Sequence, residues 1–132
     1  MKVIEGGVTA AQGFLAAGLS AGIKKGNTKD MAMLYSKVPC EAAGTFTTNI
    51  VKAAPVKWDQ KIVYESEKAQ AVICNSGIAN ACTGEEGFGC CKETAKAASL
   101  ALNIPEDSVL VASTGVIGQQ IPIEKIKKGI EN

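Results

Sequence analysis

The apolar positions of the chain fall into short runs over its first half and longer periodic stretches over its second. Met31 to Ser36 (MAMLYS) is a brief apolar run between polar ends, the pattern of a buried strand. Ala42 to Thr48 (AAGTFTT) alternates and carries β-branched residues, which predicts another strand. Pro55 opens a short helical or irregular segment carrying Trp58, an amphipathic anchor by residue type. Ala71 to Asn75 (AVICN) reads as a strand running into a turn at Asn75-Ser76-Gly77. Phe88, Cys91, Ala95, Ala98 and Leu102 recur at spacings of three and four, one face of a helix. That helix should start at Thr83 with a capping box, in which Thr83 accepts from the Glu86 amide and Glu86 reaches back. Glu85 and Glu86 suit the positive end of its dipole, and Asn103 with Pro105 stops it. Ser108 to Ser113 (SVLVAS) is the clearest strand. Pro122 fits the first turn of a last helix striped by Ile123, Ile126 and Ile130. Gly13 to Ile23 is Gly/Ala-rich. Gly22 to Lys29 is a basic turn, with Lys24, Lys25 and Lys29 around Asn27; it reads as solvated, with only a weak case for an anion contact.

This order, strand-rich first and then strand–helix–strand–helix, predicts an α+β (mixed α/β) fold with helices covering sheet. The length suits a single domain over residues 1–132, without a linker. Residues 3–23 lack cations, but Glu5, Gln12 and five glycines interrupt them, so neither a signal peptide nor a membrane span is expected. A cytoplasmic protein is the expectation.

Composition narrows the chemistry. All 14 cations are Lys, and there is no His. Without His the chain holds no Ser-His-Asp triad, Cys-His pair or His-ligated metal. Without Arg it lacks the planar fork for phosphate or guanine, and a net charge of +1 gives no field for nucleic acid. Five cysteines, Cys40, Cys74, Cys82, Cys90 and Cys91, form no CxxC pair and read as reduced, small apolar residues. No metal or resident cofactor is expected.

Two segments stand out. One is Asn75 to Gly84 (NSGIANACTG) and the other Ser113 to Gly118 (STGVIG). Each follows an apolar strand and mixes small polar residues with Gly, so backbone amides can face a cleft. A Thr hydroxyl beside a Gly amide supplies two donors for an oxyanion; a pair of tight turns is the alternative. Neither segment is a phosphate loop or a GxGxxG fingerprint.

With these segments in place, the sequence resembles the bifunctional ornithine acetyltransferase / glutamate N-acetyltransferase family of arginine biosynthesis. The collinear matches are Gly6-Gly7-Val8-Thr9 with Gly13-Phe14, Ala21-Gly22-Ile23-Lys24, Phe46-Thr47-Thr48-Asn49 and Ala53-Ala54-Pro55-Val56. The strongest are Asn75-Ser76-Gly77 with Ala79 to Gly84, and Ser113 to Gly118. The resemblance implies a layered sandwich and a precursor that cleaves itself before a Thr. That Thr, at the start of a downstream beta chain, becomes the nucleophile. It takes the acetyl group of N2-acetyl-L-ornithine and passes it to L-glutamate; some members also accept acetyl-CoA as a co-substrate. The family's Thr-Gly oxyanion pair falls on Thr114 and Gly115. A hetero-tetramer of two alpha and two beta chains is implied as well. Ile78 departs from the usual Asn. The chain stops before the self-cleavage Thr and the Thr and Lys that contact substrate, so the expectation is a fragment, or a chain completed by another and inactive alone. Two other readings use the same residues: a self-processing amidase or aminopeptidase of related fold, and a non-catalytic metabolite-binding domain.

Overall fold

The computed structural model describes residues 3–66 and 68–132. Four strands form one mixed sheet in the order β1-β2-β3-β4: β1 (Phe14–Leu19), β2 (Met31–Glu41), β3 (Lys68–Ile78) and β4 (Val109–Val116). β1/β2 and β2/β3 are antiparallel, and β3/β4 are parallel. The parallel pair needs a crossover, which α2 (Gly84–Leu102) supplies. α1 (Ala54–Glu65) joins β2 to β3, and α3 (Ile123–Glu131) follows β4.

Strand alternation decides which face the helices cover. Ala71, Ile73 and Asn75 of β3 and Val109 and Val111 of β4 are buried and share a face. Cys91, Ala95 and Ala98 of α2 and Ile126 and Ile130 of α3 complete that core. The predicted apolar faces of both helices are therefore the buried ones, with Phe88, Leu102 and Ile123 packed at their rims. On the opposite face Val72, Cys74 and Leu110 are half-buried and Ala112 is exposed.

β4 is an edge strand, and α1 occupies its open edge. The Trp58 indole N–H donates to the Val109 carbonyl at 2.9 Å, and the Val111 amide donates to Asp59 Oδ1 at 2.9 Å. Two edge groups that would otherwise invite another strand are thereby satisfied. Trp58 is 4% exposed and meets Phe88 edge-on, which matches its reading as an anchor.

Three expectations are corrected, and one strand was not expected. Residues 42–49 form no strand; they are exposed apart from Ala42 and Phe46, and β-propensity alone cannot form a ladder without a partner. Phe46 packs edge-on against Tyr64 instead. Asn75-Ser76-Gly77 is not a turn, because pairing with β4 carries β3 on to Ile78. The capping box is absent: Thr83 Oγ1 donates to Asn80 Oδ1 at 2.8 Å, and no side chain caps the first turn of α2. The Gly/Ala-rich stretch contains β1, held by its register against β2 rather than by propensity.

Candidate functional site

β3 and β4 run parallel, so their carboxyl ends lie side by side. Ser76 pairs with Thr114, Gly77 with Gly115, and Ile78 with Val116. Two glycines face each other because nothing larger fits. Gly115 has φ +133, and a Cβ there would overlap the carbonyl of Gly77 and lie 2.6 Å from the Ile78 nitrogen. Gly77 has φ +112, also a conformation that side chains resist. The strands are thus pinched together where they end.

Thr114 and Gly115 are both exposed. In a parallel ladder alternate residues direct their backbone groups to the same side. Val116 turns its carbonyl to β3, accepting from Ala79, whereas Val111 turns its amide outward to Asp59. Gly115 shares the parity of Val111, so its amide belongs to the outward side. The side-chain hydrogen bonds nearby are made by Asn75, Asn80, Thr83 and Gln120, not by Thr114. Hydroxyl and amide are adjacent donors at an open strand end.

The segment 75–84 plays a supporting part. Asn80 is 1% exposed and left-handed at φ +50. Its Nδ2 donates to the Gly87 carbonyl (2.9 Å) and toward Cys91 Sγ (3.3 Å), its Oδ1 accepts from Thr83, and its carbonyl accepts from the Ala54 amide (3.1 Å). One asparagine therefore ties the end of β3 to the starts of α1 and α2. Asn75 Nδ2 donates to the Ile78 carbonyl at 3.0 Å. Ser113 Oγ is buried without a partner beside a cavity of about 10 Å³, between Asn75, Asn80 and Thr94. That volume is about one water's worth.

The basic turn lies against the same strand end. Asp30, 2% exposed, accepts the amides of Ala21 (2.7 Å) and Lys24 (2.8 Å) on its two carboxylate oxygens. Burial pushes its carboxyl up, but amide hydrogen bonds from Lys24, Ala21 and Ile23 outweigh burial and hold it below the ordinary value. Sequence reasoning missed Asp30; a single acid closing a Gly/Lys turn was the available signal.

Larger cavities lie elsewhere. One of about 460 Å³ is lined by Ile50, Val51, Lys52, Lys57 and the Cys82–Glu85 stretch, and one of about 740 Å³ by residues of α2 and α3. Neither includes Thr114 or Gly115, which sit on an open edge rather than in an enclosed cleft. The five cysteines are free. Burial, then the charge of Asp59, pushes the Cys91 thiol up to about 12, so it is no nucleophile at neutral pH. Among the described residues no group of three His, Cys, Asp or Glu could hold a metal, and no helix is long and apolar enough to cross a membrane.

Known proteins share this fold and much of this sequence. The chain is 51% identical over 94% of its length to the arginine biosynthesis bifunctional protein ArgJ of Gloeobacter violaceus. It is 50% identical over 91% to that of Thermotoga neapolitana. It spans about 30% of the length of these relatives. Its fold matches the crystal structure of the ArgJ protein of Bacillus halodurans with a TM-score of 0.90, at 42% identity, covering 96% of this chain and 65% of that one. It matches the ornithine acetyltransferase of Mycobacterium tuberculosis, solved with ornithine, equally well, at 45% identity over 95% of this chain and 67% of that one. The ArgJ family model matches residues 15–132, which include every strand but the first residue of β1, all three helices and the paired glycines. This chain belongs to the ArgJ family.

Proposed function

We propose that this chain supplies the oxyanion hole of an acyltransferase that moves the acetyl group of N2-acetyl-L-ornithine to L-glutamate. The nucleophile is a threonine at the start of a second chain, a beta chain lying in the part of the relatives' length that this chain does not span. Attack on the acetyl carbonyl gives a tetrahedral oxyanion. Thr114 Oγ1 and the Gly115 amide donate to it, the ornithine amine leaves, and the acetyl-threonine ester remains. Glutamate's amine then attacks through a second oxyanion in the same place. An N-terminal amine serves as base, so the lack of His is no obstacle.

The observation that carries this reading is the adjacent, unengaged pair of donors on Thr114 and Gly115, held at an exposed strand end by the Gly77–Gly115 pinch. A rigid pair adds catalysis because it costs no reorganisation as charge develops; each donor is worth about 2.7–4 kcal/mol. The open edge suits a site completed by further chain, in line with an assembly of two alpha and two beta chains. Product analysis of the full-length protein tests the reading. N-acetylglutamate formed from N2-acetylornithine and glutamate supports it. Acetate released at the same rate without glutamate identifies an amidase and refutes it. Acetyl-CoA in place of acetylornithine, in the same assay, decides whether it serves as a donor.

A further inference from the structure

The oxyanion pair sits where the β3–β4 ladder ends. The last paired residues are Ile78 and Val116. α1 binds the outer edge of β4 at Val109 and Val111, short of Gly115. A strand end held by its ladder alone frays. Here a second set of bonds takes over where the ladder stops. The Ala79 amide donates to the Val116 carbonyl at 2.9 Å, and the Gly118 amide donates to the Ala81 carbonyl at 2.8 Å. Gln120 Nε2 donates to the Thr83 carbonyl at 3.1 Å. These bonds join residues 79–83 to residues 116–120, directly after Gly115.

Such a clasp fixes a strand end only if it is itself rigid. Residues 79–83 belong to no helix or strand, and Asn80 and Cys82 are left-handed at φ +50 and +57. Asn80 stiffens them from within. It lies between Ala79 and Ala81, the two residues whose main chain grips Val116 and Gly118. Its carboxamide turns inward at both ends: Nδ2 donates to the Gly87 carbonyl, and Oδ1 accepts from Thr83 Oγ1. Gly87 makes room for this packing, since a Cβ there would overlap Thr83 Oγ1 and Asn80 Oδ1. The clasp is thereby seated on α2, whose apolar side is part of the core.

We propose that Asn80 is a positioning residue of the oxyanion hole. It acts through the Ala79–Val116 and Ala81–Gly118 bonds on the strand end that carries Thr114 and Gly115. The proposal rests on the acyl-transfer reading. Oxyanion donors are effective because they are in place before charge develops. A misplacement of about 1 Å costs about 100-fold in rate. Loosening the clasp therefore slows acetyl transfer, while substrate binding by other parts of the site is kept.

The test uses the full-length protein in single-turnover acetylation by N2-acetylornithine, which separates how much protein reacts from how fast it reacts. Asn80→Gly removes the carboxamide without straining the backbone. Should that variant fail to fold, Thr83→Val removes only the hydroxyl bound to Asn80 Oδ1. In either variant the acetylation rate constant is expected to fall about 10–100-fold, while KM for acetylornithine changes by less than about threefold. Thr83→Ser keeps the hydroxyl and should react at close to the wild-type rate. Amide hydrogen exchange in the peptide containing residues 116–120 should quicken in the slow variants, because the Gly118 amide is held by Ala81. A smaller reacting fraction at an unchanged rate constant overturns the proposal, because Asn80 is then only structural. A slower rate without faster exchange also overturns it, because the effect then bypasses the clasp. Both outcomes leave wild-type acetyl transfer intact; a wild type that transfers no acetyl overturns the acyl-transfer reading and this proposal with it.

Discussion

Removing the Asn80 side chain should loosen the platform under the site more than any nearby surface change. In Asn80→Ala the Thr83 hydroxyl loses the acceptor it donates to at 2.8 Å and stays buried, Thr83 being 7% exposed. An orphaned buried hydroxyl costs about 1–3 kcal/mol. The Gly87 carbonyl loses a second donor, a smaller loss of about 0.5–1 kcal/mol. Alanine at φ +50 also bears about 1 kcal/mol of left-handed strain that asparagine largely escapes. Together the expected destabilisation is about 3–4 kcal/mol, against a typical total of 5–15 kcal/mol. For a chain of this size that lowers Tm by about 10–15 °C. Urea titration followed by the fluorescence of Trp58, which α1 holds against β4, reads it directly. Asn80→Gly relieves the backbone and keeps the other losses, so the difference between the variants isolates the strain. A loss below about 1 kcal/mol in Asn80→Ala would refute the reasoning.

Three further outcomes are expected. Burial raises the Asp59 carboxyl to about 6, opposed by the Val111 amide bond. The folded chain then holds that proton more tightly than the unfolded one, so stability falls as pH rises from about 4 to 6. Asp59→Asn should flatten that slope in denaturation curves taken across the window; an unchanged slope would count against the assignment. Thiol labelling of the native chain should modify exposed Cys82 first and reach Cys91 only on unfolding, as mass spectrometry of partly labelled protein can read. Gly115→Ala should cost more than about 2–3 kcal/mol, because its Cβ meets the Gly77 backbone and φ +133 is closed to it. A near-native Tm in that variant would contradict the pinch between the strands.

Some of this was legible in the sequence and some was not. The core of α2 was readable because spacings of three and four survive any tertiary context, and Cys91, Ala95 and Ala98 are its buried residues. β1 was not, since Phe14–Leu19 has no β-branched residue and depends on pairing with residues 31–36. Residues 42–48 failed the other way, with strand-like side chains and no partner. Thr83 was correctly placed at the start of α2, but its hydroxyl turns to Asn80, three residues earlier; capping rules do not see a competing acceptor. Thr114 and Gly115 were singled out by residue type and by resemblance. Their pairing with Ser76 and Gly77 emerges only from the register of β3 and β4.

The central claim is that Thr114 and Gly115 form the oxyanion hole. Single-turnover acetylation of the full-length protein by N2-acetylornithine, comparing wild type with Thr114→Ala, tests it most directly. Thr114 is exposed, and its side chain anchors none of the hydrogen bonds that tie β3 to α1 and α2, so the variant should fold with an unchanged Tm. Its acetylation rate should fall about 10²–10³-fold. A folded Thr114→Ala protein that acetylates at the wild-type rate would contradict the account.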